Sequence, residues 1–127
     1  MLFQIPLAHY EYLRQFSALL RDPIYRGRGV PRGHGEPVLL IPGFMGGDWM
    51  LLSLAGWLRR LGYRSYLSGI DFNIGNPLRT SERLRWRVEY IVKETGSPLI
   101  IVGHSLGGML ARCLGARFPR QVRHVVT

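Results

Sequence analysis

The sequence has a single cysteine, Cys113, so no internal disulfide can staple the fold. That excludes disulfide-framework proteins and fits a reducing, cytoplasmic setting. Acidic residues are scarce: 8 against 17 basic ones, a net charge of +9 in 127 residues. All the basic residues except Lys93 are arginines, and they are scattered. With no polybasic tail and no basic stripe interleaved with aromatics, a nucleic-acid partner is not expected. No apolar run approaches the roughly 18 residues of a transmembrane span. The start, "MLFQIPLAHYEYLRQF", lacks the basic region and small-residue cleavage site of a secretory signal. The four histidines and one cysteine have no ligand spacing, so no metal site is expected. "GHSLGG" lacks the Gly-Lys-Ser/Thr ending of a phosphate-binding loop, and no cofactor is implied.

What is present is a 46% apolar chain, enough for one modest core. "LAHYEYLRQFSALL" (7–20) repeats Leu7, Tyr10, Leu13 or Phe16 and Leu20 at helical spacing. A loop rich in Gly and Pro follows over 21–37. From there strands and helices alternate. "PVLLIPG" (37–43) is a short apolar run suited to a strand buried on both faces. "DWMLLSLAGWLRRLG" (48–62) sets Leu51, Leu54, Leu58 and Leu61 on one stripe, with Asp48 as N-cap and Gly62 just past the end. "YRSYLSG" (63–69) is a second strand. "SERLRWRVEYIVKETG" (81–96) turns Leu84, Val88 and Ile91 inward, with Thr80 or Ser81 as its cap and Gly96 at its end. "PLIIVGH" (98–104), "SLGGMLARCLGARFP" (105–119) and "VRHVVT" (122–127) complete the order β-α-β-α-β-α-β. The expected architecture is an α/β parallel sheet flanked by helices. Residues 1–35 form an N-terminal helix and Gly/Pro-rich loop, and residues 36–127 the sheet domain.

Gly-x-Ser-x-Gly carries little weight alone, but here it falls where a buried strand becomes a helix. Gly103 and Gly107 flank Ser105 at minus two and plus two, where neighbouring backbones must pass closely. The serine accepts a strained backbone, and its hydroxyl then stands clear of the sheet at a helix N-terminus. An oxyanion formed beside Ser105 would meet the Leu106 N–H. A second donor comes from "LLIPGFMGGDW" (39–49): the backbone N–H of Phe44, alone or with that of Met45.

These segments resemble the α/β-hydrolase superfamily, nearest its lipase/esterase branch. The likeness rests on "PVLLIPGFMGGDW", "LRRLGY", "PLIIVGHSLGGMLAR" and "FPRQVRHVVT", and runs from about Glu36 to Thr127. It implies a partial α/β-hydrolase fold with about four strands. It implies Ser105 as nucleophile and the amides of Phe44 and Leu106 as oxyanion hole. The expected chemistry is acyl transfer from a small-molecule ester or lipid to serine, then hydrolysis.

The triad's other members are missing. In this fold they follow the serine in the order Ser, Asp/Glu, His. The 22 residues after Ser105 hold no Asp or Glu, and their only histidine, His124, lies inside a strand. His104 adjoins Ser105 and is read as a packing residue; His34 and His9 precede the sheet. Asp71, in "SGIDFNIGNPL", sits at the right edge but precedes the serine, so a turn or cap role is expected of it. The chain therefore reads as the N-terminal portion of a serine hydrolase, inactive or nearly so alone. Such a fragment would expose the edge of its last strand. The alternatives are a non-catalytic binding protein of the same fold and an acyltransferase. A weaker one is an anionic-surface binder.

Overall fold

A computed structural model of the protein describes residues 4–127. Five apolar residues make β1 (Pro37–Ile41), and every one is buried. Such a strand needs neighbours on both edges and cover on both faces. β1 has them. It pairs in parallel with β2 (Arg64–Leu67) on one side and β3 (Leu99–Gly103) on the other; β4 (Val122–Val126) pairs in parallel with β3. The sheet order is β2-β1-β3-β4.

The helices fill the two faces as right-handed crossovers require. One face packs α2 (Leu52–Arg60) on Val38 and Leu40 through Ala55, Leu58, Leu54 and Trp57. The other packs α3 (Pro77–Thr95) and α4 (Leu106–Arg117) on Leu39, Ile41, Leu99 and Ile101 through Leu84, Val88, Ile91, Leu110, Ala111 and Leu114. Alternate residues of β1 thus feed two separate cores, the period-2 consequence of a strand sandwiched between helix layers. At about 1.5–3 kcal/mol for each fully buried Leu, Ile or Val, these two clusters dominate the domain's stability. Arg87 shows one use of the arginine excess. Its Nε donates to the Leu67 carbonyl at 2.9 Å while the guanidinium lies near the rings of Tyr66 and Tyr90, at 5.8 and 5.4 Å.

Two local expectations are corrected. Helix α3 starts four residues before the expected Ser81. Asn76 is its N-cap, with Oδ1 accepting from the Leu78 N–H at 2.9 Å, and Pro77 occupies the first turn. Asn-Pro is the better start signal because Pro has no N–H to leave unpaired; Thr80 and Ser81 are buried inside the helix. Asp48 is not a helix cap. It opens a 3-10 turn over Asp48–Leu51, and its side chain makes no capping bond. Leu51, not Asp48, precedes α2. The apolar stripe of α1 (Gln4–Arg21) is largely exposed, Leu7 at 69% and Leu13 at 64%.

The chain divides into two compact units, one ending at Pro31 and the other spanning Arg32–Thr127. The first is α1 and a series of turns over residues 23–29. No helix among the described residues is long and apolar enough to cross a membrane.

Candidate active site

The strand order places a crevice at one point on the sheet's carboxyl edge. From β1 the chain moves outward to β2, then crosses back over β1 to β3. The loops leaving β1 and β3 therefore depart to opposite faces and part from one another. In open α/β sheets this switch point is where ligands bind. Register makes the two strand ends flush, with Ile41 opposite Gly103. The Gly43 backbone lies so close to the β3 turn that a side chain there would come 3.4 Å from the Ser105 Cβ.

Ser105 occupies the turn itself. Its backbone has φ 54° and ψ −117°, a conformation that L-residues rarely adopt and that costs about 1–3 kcal/mol. Glycines make the turn possible. A Cβ on Gly103 would run into the Gly107 carbonyl oxygen, and one on Gly107 would meet the carbonyls of Ile41 and Pro42. The result is a residue at the start of α4 whose side chain is exposed. Its hydroxyl bonds to no other described residue. The Leu106 N–H, first in α4, also has no partner among the described residues, as the geometry of a helix start dictates. The following amides are taken: those of Gly107 and Gly108 donate to the carbonyls of His104 and Ser105, at 2.9 Å each.

The loop after β1 is built differently. Gly46 N–H donates to the Gly43 carbonyl at 3.0 Å, closing a turn around Phe44 and Met45. Met45 sits at φ 58°. Its N–H donates to the Asn73 carbonyl at 2.9 Å and so is already paired within the chain. The Phe44 N–H has no partner among the described residues. Of the two amides the sequence offers, one is consumed and one is left.

A second loop, between β2 and α3, holds the first in place. Asn73 N–H donates to the Gly46 carbonyl at 2.7 Å, Asp48 N–H to the Ile70 carbonyl at 2.9 Å, and Asn73 Nδ2 to the Pro42 carbonyl at 2.8 Å. The Asp48 carboxylate accepts from Ser68 Oγ at 2.6 Å, Ser68 N–H at 3.2 Å and Gly69 N–H at 2.7 Å. Gly47 is needed because a Cβ there would strike the Asp71 carbonyl oxygen. Sequence reading singled out Asp71 in this stretch and missed Asn73. Asp71 is exposed, and its carboxylate neither caps α3 nor bonds to a described residue. Asn73 is 2% exposed while its neighbours Phe72 and Ile74 are 54% and 59% exposed. The signal for it was compositional: Asn in an otherwise apolar "GIDFNIG".

None of the histidines is hydrogen-bonded to Ser105. His104 is exposed, and its Nδ1 would lie 2.9 Å from a Cβ on Gly43. His124 is opposite Ile100, three residues or about 10 Å below Gly103 along the strand direction. His34 lies beyond the amino end of β1, where its backbone N–H donates to Glu36 at 2.6 Å and lowers that carboxyl's pKa. His9 belongs to α1. No group of His, Cys, Asp and Glu among the described residues is arranged to hold a metal ion. The segments that follow β1 and β3 carry exposed apolar side chains instead: Phe44, Met45, Trp49 and Met109 are all more than half exposed.

A parallel sheet between helix layers, turning through a strained serine at its switch point, defines an α/β-hydrolase architecture. Residues 36–127 match the family model of the alpha/beta hydrolase fold, and the chain belongs to that family. Among solved structures it is similar to an extracellular α/β-hydrolase from a Paenibacillus species, reported to share structural and functional homology with tobacco salicylic acid binding protein 2. That alignment has 21% identity and a TM-score of 0.55 over 71% of this chain and 38% of the other. A marine microorganism esterase aligns at 24% identity and TM-score 0.56 over 75% and 38%. A Bacillus licheniformis lipase in propeptide form aligns at 18% and 0.58 over 76% and 22%. At these identities the likeness is one of fold. The chain spans well under half the length of these structures. No curated protein matches it.

Proposed function

We propose that this chain carries the nucleophile half of a serine hydrolase acting on carboxylic esters, with Ser105 as nucleophile and the Phe44 and Leu106 amides as oxyanion hole. One observation carries the reading: a serine in a high-energy backbone conformation, solvent-accessible, between two adjacent strand ends that each present an unpaired amide. Strain of that kind persists where surrounding structure imposes it, and it clusters at reacting residues.

In the proposed reaction Ser105 Oγ forms a bond to the ester carbonyl carbon as its proton passes to a histidine base. The carbonyl electron pair moves onto oxygen, which accepts from the Phe44 and Leu106 N–H groups. Collapse breaks the bond to the alcohol oxygen, which leaves with the base's proton, and water repeats the sequence to free Ser105. The base and its orienting carboxylate are assigned to the part of the hydrolase fold that this chain does not span. Residues 36–127 are then the N-terminal half of that domain, and residues 1–35 a preceding helix and loop. The exposed apolar side chains of Phe44, Met45 and Met109, on the segments that follow β1 and β3, favour an ester or lipid with an apolar acyl group.

The test is covalent labelling of the whole protein with a fluorophosphonate probe. Mass spectrometry should place the adduct on Ser105, and Ser105→Ala should abolish it while leaving the fold intact. A folded protein that takes no label overturns the hydrolase reading in favour of a non-catalytic binder. Product found on an acceptor other than water would make it a transferase.

A further inference from the structure

Resting on the serine-hydrolase reading, we propose that Asn73 is a positioning residue for the oxyanion hole, holding loop 42–46 so that Phe44, and not Met45, supplies the strand-β1 amide. Three hydrogen bonds run from this one residue to that loop: Nδ2 to the Pro42 carbonyl at 2.8 Å, N–H to the Gly46 carbonyl at 2.7 Å, and the Asn73 carbonyl from the Met45 N–H at 2.9 Å.

The burial pattern around Asn73 is inverted. The polar residue is enclosed and the apolar residues on either side face solvent. Left to hydrophobicity alone, the loop would turn the other way. A buried amide side chain is tolerated only when its hydrogen bonds are made, and here they are made to the loop that bears the proposed donor. Pro42 is the shared point. Its carbonyl accepts from Asn73, and the same oxygen would lie 2.5 Å from a Cβ on Gly107, inside the first turn of α4. The Pro42–Gly43 peptide, directly before the one that carries the Phe44 N–H, is thereby caught between Asn73 on one side and the helix that carries Leu106 on the other. The two unpaired amides belong to elements braced against each other.

Asn73 also decides which amide stays unpaired. Both Phe44 and Met45 lie in the turn closed by Gly43 and Gly46. By accepting the Met45 N–H, the Asn73 carbonyl takes it out of use.

The test uses the whole protein and three readouts: turnover of p-nitrophenyl butyrate per Ser105 site titrated with a phosphonate, KM, and inhibition by butylboronic acid, whose tetrahedral adduct mimics the oxyanion. For Asn73→Ala and the isosteric Asn73→Asp, kcat per titrated site should fall about tenfold or more, below the roughly 10²–10³-fold of losing a donor outright. KM should stay within twofold, and the boronic acid Ki should rise in step with the loss of kcat. A purely structural role would lower the number of titratable sites and leave kcat per site unchanged. If neither variant folds, amide hydrogen exchange on the unmodified protein decides. Boronic acid should slow exchange at Phe44 and leave Met45, already protected, unaltered. Protection gained at Met45 instead, or variants with kcat per site within twofold of the parent, overturns the role of Asn73 alone. A protein with no Ser105-dependent turnover or titration overturns both this inference and the reading beneath it.

Discussion

The turns after β1 and β3 are adjacent, flush and opposite in construction. Each contains one of the two non-glycine residues that hold a positive φ among the described residues, Met45 and Ser105. At Ser105 the conformation is held by close packing. Gly103 lets the strand end meet the helix start, and Gly107 lets the helix start meet the end of β1, so closely that no side chain fits at either. At Met45 it is held by hydrogen bonds from a loop nearly thirty residues further along. One turn is bent within five residues and then seated on the end of β1. The other exists only when two loops meet. A steric turn resists deformation strongly, because backbone atoms have nowhere to go. A hydrogen-bonded turn is adjustable, since each bond contributes about 0.5–1.5 kcal/mol net.

The largest effect should come from breaking the steric turn. Gly107→Ala forces a Cβ onto the Ile41 and Pro42 carbonyls; urea denaturation should register a loss of about 3 kcal/mol or more, the upper range for overpacking. Tolerance of alanine at 107 would show that the two turns are held alike. Breaking the hydrogen-bonded side comes next. Asp48→Ala removes the acceptor of the Ser68 and Gly69 groups and should cost about 1–3 kcal/mol in the same assay. Relieving strain should do the reverse. Ser105→Gly should raise stability by about 1 kcal/mol, the released strain exceeding the added freedom of the unfolded chain, while eliminating phosphonate labelling. Met45→Gly should shift stability least, by about 0.5 kcal/mol or less, because an ordinary left-handed residue is nearly offset by glycine's entropy. A gain at Met45 larger than at Ser105 would reverse the proposed ranking of strain.

Much of the fold is legible in the residues because its signals are local and repeated. β1 is all apolar and is buried on both faces; Leu84, Val88 and Ile91 recur at helical spacing and all face the core. The strand-turn-helix around Ser105 is legible for the same reason: glycine spacing implies close backbone approach within one short segment. The errors have a common origin. Asp48 looks like a cap because Asp before an apolar periodic run usually is one, yet its carboxylate serves a strand end twenty residues away. Thr80 and Ser81 look like caps, but the Asn76–Pro77 start precedes them and buries both. The Met45 amide looks as available as that of Phe44 until Asn73 arrives from another loop.

By itself, the sequence determined the alternation of strands and helices, the face each presents to the core, and the tight bend at residue 105. Periodicity and the close approach of Gly103 to Gly107 act over a few residues and do not need the rest of the chain. Tertiary structure alone decided that β1 and β3 lie side by side, that the Phe44 amide and not that of Met45 is left unpaired there, and that Asn73 braces the loop after β1. Those relations are set by hydrogen bonds between segments remote in sequence, and a donor's partner is chosen by proximity, which exists only after the sheet has formed.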